Sequence, residues 1–354
     1  MSAAESTTAM DAAKTTRSYS SYGHPWWRRT LLTREFAIIA LLVIVFVYAT
    51  SNVAHFDNPL TIHFLVLNNA EIMMIALPMA LVIITGEIDL SVASVVGLSS
   101  VMVGILVQDA GLGVPLAGLI AILVGVAAGA FNGFLVAYVG LPSLAVTIGT
   151  MALFRGLAVG LLGTTAKTEF PEKWKTLASD DIGSSRYPVI IIPILVLIAV
   201  FVWLLHFSTF GRGVVEIGLN DEAAHFSGVN VERTKFILFV LTAVVSAFAG
   251  IYITLHNGTA RGDNATGDEL KVIAAVLLGG VSIFGGRGAL HGVIAGVLLI
   301  AVIQYAMQLQ NETVNVINIV IGVLLVLSVM TTALLAWLDR LRSGQLRFLG
   351  SLKR

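Results

Sequence analysis

The chain of 354 residues contains no cysteine, which excludes disulfide frameworks, thiolate metal sites and cysteine nucleophiles together. Charge is scarce as well: Asp, Glu, Lys and Arg make up 12% of the residues, about half of the usual ~25%. The 21 basic and 21 acidic residues cancel, so there is no basic excess with which to bind nucleic acid. A Walker A pattern is missing. Gly285-Gly286-Arg287-Gly288 is glycine-rich but lacks the Lys-Ser/Thr that grips a phosphate. No histidine pair has metal spacing on a helix, and no acyl-transfer constellation occurs. The chain is therefore expected to hold no cofactor of its own and to carry out no covalent catalysis.

What is present is apolar. Hydrophobic residues make up 57% of the chain, and the mean hydropathy is +0.91. A soluble fold cannot hide that much apolar surface and still show a charged exterior. In hydrocarbon every backbone group must be satisfied internally, and alternating strand patterns are absent, so the expected fold is all-α and polytopic. Runs of about 20 apolar residues cross a bilayer. Ten candidates stand out: 36–54, 70–85, 91–107, 114–139, 144–162, 188–207, 236–256, 271–284, 289–307 and 314–333.

Residues 1–35 read as a polar tail, because the first long apolar run begins only at Phe36, too late for a cleavable signal. Trp26, Trp27, Arg28, Arg29 and Arg34 look like an interfacial anchor before the first span. Residues 36–338 form the expected transmembrane domain, and 339–354 a second tail. Orientation follows Lys and Arg. With the N-terminus inside, the two tails and the loops near 86–90, 140–143, 208–235 and 285–288 carry 14 basic residues, against five in 163–187 and 257–269. Both termini are then cytoplasmic, in the inner membrane.

The second and eighth runs are short, and each leads into glycine: Gly86-Glu87-Ile88-Asp89-Leu90-Ser91 and Gly285-Gly286-Arg287-Gly288. They resemble corresponding interruptions in two halves of one fold. Runs 2–5 and 7–10 would be offset by five, an odd number that inverts the repeat, as in many transporters. Glycines at spacing four (Gly125, Gly129 and Gly133; Gly156 and Gly160; Gly292 and Gly296) offer bare helix faces for close packing.

Few charges lie in or beside the spans, so each needs an explanation. Glu87 and Asp89, at spacing i, i+2, cannot form one acid–base pair on a helix. Asp89 or Ser91 reads as a cap for the third span, with proton coupling as the alternative. Arg155, inside the fifth span, needs a partner: a carboxylate such as Glu87, or substrate hydroxyls. Glu71 reads as interfacial. In the loop 208–235, Asn220 is a good N-cap, Asp221 and Glu222 suit the first turn of a helix, and Gly228 is a good stop. This predicts a helix of about two turns, too short to stand alone, which must dock on something.

That loop resembles the cytoplasmic coupling region of sugar-type ABC importer permeases, the membrane subunits of ribose, arabinose, xylose, rhamnose and autoinducer-2 systems. Four blocks fall in the family's order between about 70 and 330. They are Gly86-Glu87-Ile88-Asp89-Leu90-Ser91-Val92; Leu141-Pro142-Ser143 through Thr147-Ile148-Gly149-Thr150 to Arg155-Gly156; Gly211-Arg212 through Asn220, Glu222-Ala223-Ala224 and Ser227-Gly228; and Glu269-Leu270 through Ile273-Ala274-Ala275 and Gly279-Gly280 to Gly285-Gly286-Arg287-Gly288. One departure is Glu87, where most members have a second Gly.

The resemblance implies the type II importer fold and several partners: an ABC ATPase binding ATP and Mg, an extracytoplasmic sugar-binding protein, and a second permease, paralogue or self. It implies that Glu222, Ala223 and Ala224 sit in the ATPase groove, with Arg212, Asn220, Ser227 and Gly228 shaping the coupling loop. Asp89, Asn132, Phe154 and Arg155 are candidates for the substrate path from their polarity or aromatic character. A rhamnose-like or other monosaccharide is the expected cargo, with autoinducer-2 as the alternative. A proton-coupled carrier and a non-transporting scaffold or receptor are the more distant readings.

Overall fold

The computed structural model describes residues 34–163 and 165–342. The predicted anchor at Trp26–Arg29, most of the N-terminal tail and residues 343–354 lie outside this range. The described chain is helical, with isolated bridges at Lys167–Ala260 and Asp181–Pro188 as its β pairing. Its helices are α1 Arg34–Asn52, α2 Thr61–Leu67, α3 Ala70–Ile84, α4 Val92–Gln108, α5 Val114–Gly133 with a π turn at Phe134–Tyr138, α6 Ser143–Leu162 and α7 Glu172–Ser179. They continue as α8 Ile191–Phe207, α9 Thr209–Leu219, α10 Asp221–Phe226, α11 Val231–His256, α12 Asp268–Leu278, α13 Leu290–Leu309 and α14 Val314–Arg342.

Each of the ten apolar runs is helical, but the helices are unequal. By length and composition, five are able to cross a membrane: α1, α5 with its π turn, α6, α11 and α13. Two bent pairs raise this to as many as seven: α2 with α3, bent by 55°, and α8 with α9, bent by 67°. At 1.5 Å per residue, α3 is roughly 22 Å long and α12 roughly 16 Å, against a hydrocarbon core of about 30 Å. These two are the runs that the sequence marks as interrupted.

Every residue of α3 is buried, Pro78 included. It is packed by α8, α11, α12 and α13. Pro78 lacks the N–H that would bond back along the helix, a loss tolerated where neighbouring helices rather than lipid surround it. α11, the longest helix whose side chains are all described, packs on α3, α4 and α5.

The glycine stripes divide. A Cβ at Gly125 or Gly129 would stand within 2.7 Å of Ala247 or Ala243 on α11, and one at Gly296 within 2.2 Å of the Ala275 carbonyl on α12. These are close backbone approaches of the kind the spacing predicts. Among the described residues, Gly156 and Gly160 on α6 have nothing within 4 Å, so their identical spacing packs against none of them.

The two interruptions meet. The Gly286 amide donates to the Ile84 carbonyl at 2.8 Å, and a Cβ at Gly285 would lie 3.1 Å from the Gly86 amide. At the other end of the same helices, Glu71 lies beside Asp268 and Lys271. α3 and α12 therefore run in the same direction. These two interruptions are six runs apart and do not themselves form the antiparallel pair of an inverted repeat.

Candidate functional site

The loops that charge counting assigns to one side converge at one end of the bundle, around the segment Gly86–Ser91. Ile84 ends α3, and Gly86 turns the chain with φ +85°. The Ile88 amide donates to Ser143 Oγ at 3.2 Å, and Thr147 Oγ1 donates to the Ile88 carbonyl at 3.2 Å. The start of α6 thus holds this segment on one flank.

Deeper in, Asp89, Ser91 and Asn132 form one network, each about 1% exposed. Asp89 Oδ1 accepts from the Ser91 amide at 2.9 Å and from Ser91 Oγ at 2.6 Å. Asn132 Nδ2 donates to Ser91 Oγ at 2.8 Å. The capping expectation is thereby refined: Asp89 satisfies the amide of Ser91, while Ser91 itself makes no side-chain cap. Two path candidates and the signature serine are brought together here.

The other two path candidates go elsewhere. Phe154 is buried among Val95, Leu98, Ala128 and Ala247, inside apolar packing rather than on an open surface. Arg155 does not reach Glu87. Its Nη1 donates to the carbonyls of Gly262 at 2.7 Å and Asn264 at 2.8 Å, and its Nη2 to that of Ala93 at 3.0 Å. A planar fork suits several acceptors at once. Here it ties the 259–267 loop, which enters the bundle beside Gly97, to α4 and α6. In that loop Arg261 holds Asp263 below the usual carboxylate range. Glu71, at the start of α3, is buried in the protein with Asp268 and Lys271 as its charged neighbours.

Glu87 pairs instead with Lys235, near the start of α11, at 2.7 Å, and Lys235 also meets Asp221 at 2.7 Å. Asp221 opens α10, the predicted short helix. As its composition requires, Asn220 Oδ1 caps that helix by accepting from the Ala223 amide at 2.7 Å, and Gly228 ends it with φ +88°. Ser227 closes the last turn by donating to the Ala223 carbonyl. Arg212, Glu222 and Ala223 are exposed. Ala224 is not: it is 2% exposed, packed with Ile217, Val229 and Val231, and it holds α10 down rather than facing outward.

Sequence reading takes 208–219 as part of the loop 208–235. It is α9. Ser208 Oγ accepts from the Gly211 amide at its start. A Cβ at Gly218 would fall 1.8 Å from the Ile84 carbonyl oxygen and 2.3 Å from the Gly286 amide. Only a residue without a side chain fits there.

Sequence reading also misses the apolar side chains at this end. Phe226 is 89% exposed, Phe284 76% and Leu219 65%. Three large apolar groups around a capped helix beyond the membrane helices make a surface suited to a protein partner. Beside α10 lies a cavity of about 700 Å³ lined by Glu87, Pro142, Glu222, His225 and Lys235 among others. Among the described residues no cluster of three or more His, Cys, Asp or Glu could hold a metal ion.

Comparison with known proteins identifies a family for the chain. The family described as branched-chain amino acid transport system / permease component matches residues 62–329. Among the curated relatives is the autoinducer 2 import system permease protein LsrD of Yersinia enterocolitica, 32% identical over 326 residues, covering 87% of this chain and 96% of that protein. The protein of the same name from Photorhabdus luminescens is 30% identical over 332 residues, covering 88% and 97%. No solved structure matches.

Proposed function

Since this chain belongs to the family of branched-chain amino acid transport system permease components, and is a permease component of a sugar-type ABC importer, we propose that its cargo is autoinducer-2. The observation that carries this reading is the 30–32% identity to autoinducer 2 import permeases along nearly their whole length. It moves the expectation away from a rhamnose-like sugar and toward the alternative.

In this reading the Gly86–Ser91 end is cytoplasmic and both termini are inside. A separate ATPase, holding ATP and Mg, docks on α10, with Glu222, Ala223 and the exposed Phe226 entering its groove. A binding protein delivers cargo to the opposite face, and a second permease completes the path. This reading assigns Asp89 and Asn132, joined through Ser91, to the path. Glu87 is ion-paired to Lys235, which weighs against a carrier that loads a proton there.

The test is ligand-stimulated ATP hydrolysis and uptake in proteoliposomes that hold this chain, its co-expressed ATPase, a paralogous permease and the binding protein. Stimulation by autoinducer-2, but not by rhamnose, ribose or xylose, is expected. Stimulation by rhamnose alone would overturn the assignment. Glu222→Arg and Phe226→Ala are expected to lose the ATPase on co-purification while the chain stays inserted.

A further inference from the structure

We propose that Lys235 is a positioning residue that links α10 to the Gly86–Ser91 segment, so that displacement of α10 is delivered to the buried network at Asp89. The inference rests on the reading that an ATPase docks on α10, and deepens it.

Besides the apolar packing of Phe210, Val214 and Val215 on the core, two connections lead from the 209–226 region to the two interrupted segments. One runs through Gly218, which touches the Ile84 carbonyl and the Gly286 amide by van der Waals contact alone. Such a contact resists compression but transmits no pull. The other runs through charge. Asp221 begins α10, Lys235 takes Asp221 Oδ2 and Glu87 Oε1 at 2.7 Å each, and Glu87 is two residues from Asp89. Charge-assisted bonds of this length bear both push and pull.

Burial strengthens the inner bond. The Lys235 side chain is 12% exposed and that of Glu87 17%, while that of Asp221 is 50%. The inner pair is thus less exposed to solvent than the outer one, which sits where a partner would act. α10 has little else to hold it: six residues, one buried side chain at Ala224, and an open cavity of about 700 Å³ beside it. Beyond Glu87 the path continues through Asp89, Ser91 and Asn132 to α5, and through Ile88 to Ser143 and Thr147 on α6. One ammonium therefore joins the docking helix to two membrane helices.

The absence of native cysteine allows a direct test. In the complex of the full chain with its ATPase, in nanodiscs, a single cysteine at Ile88 is labelled with a maleimide with and without ATP and Mg. With Lys235 present, the labelling rate is expected to change severalfold on adding nucleotide. Lys235→Met should abolish that change and lower uptake per ATP hydrolysed by tenfold or more, while the ATPase still co-purifies. Lys235→Arg, which keeps the charge, should restore both.

A nucleotide-dependent change at Ile88 that persists in Lys235→Met would overturn the link. So would loss of ATPase binding in parallel with the loss of uptake, which would make Lys235 a structural prop for α10. If the unsubstituted chain binds no ATPase, the docking reading itself fails, and the Glu222→Arg comparison identifies that outcome separately.

Discussion

Replacing Gly218 with alanine measures what the meeting of the two interruptions costs to disturb. The new Cβ would sit 1.8 Å from the Ile84 carbonyl oxygen and 2.3 Å from the Gly286 amide nitrogen. Non-bonded carbon contacts are comfortable at about 3.5–4.0 Å, so α9 must withdraw by roughly 1.5 Å. Both neighbours are backbone, held by the 2.8 Å bond between them, and neither can rotate away.

Overpacking of this kind costs about 1–3 kcal/mol. Stretching the Gly286–Ile84 hydrogen bond adds about 1 kcal/mol. Alanine's helix propensity gives back about 1 kcal/mol. The net is a loss of about 1–3 kcal/mol. Gly156→Ala is the control. It lies on a span with nothing within 4 Å, so only the propensity term acts there, and the sign reverses. Thermal unfolding of the purified variants in one detergent compares them. Gly218→Ala should melt several degrees below the parent, and Gly156→Ala at or above it. Equal melting of Gly218→Ala and the parent would refute the argument that the junction is closed by backbone contact.

Two further outcomes follow from the buried polar groups. Ser91→Ala removes the hydroxyl that donates to Asp89 and accepts from Asn132. Leaving those groups unsatisfied should cost about 1–3 kcal/mol, and a thermal shift no larger than that of the change Ser184→Ala at an exposed position would count against the network. Arg155→Lys replaces a fork holding three carbonyls with a single point charge. Amide hydrogen exchange in residues 259–267 should speed up relative to α4, and unchanged exchange would show that Arg155 does not secure the loop.

The features legible in the sequence are those decided within a few residues. Asn220 and Gly228 define α10 because a cap and a left-handed stop act locally. The apolar runs mark the membrane helices for the same reason. Features decided by distant partners were not legible. Lys235 looks like one more basic residue at a helix start, since its partners Asp221 and Glu87 come from two other segments. Arg155 shows that a half-buried guanidinium need not find a carboxylate when a loop and a helix bring three carbonyls to it. Gly156 and Gly129 have the same spacing pattern, and only the position of α11 separates them. α9, read as loop, is a helix whose Gly211 and Gly218 let backbone approach backbone.

The complete burial of α3 has a consequence for how the chain is made. Its neighbours α8, α11, α12 and α13 all follow it, and the last of them ends at Leu309. At about 5–20 residues per second of synthesis, the roughly 225 residues between Ile84 and Leu309 take on the order of 10–45 s to appear. Throughout that interval a short helix carrying Glu71 and Pro78 is inserted without the walls built for it. A membrane insertase that shelters α3 during that interval would act before any cargo is ever carried.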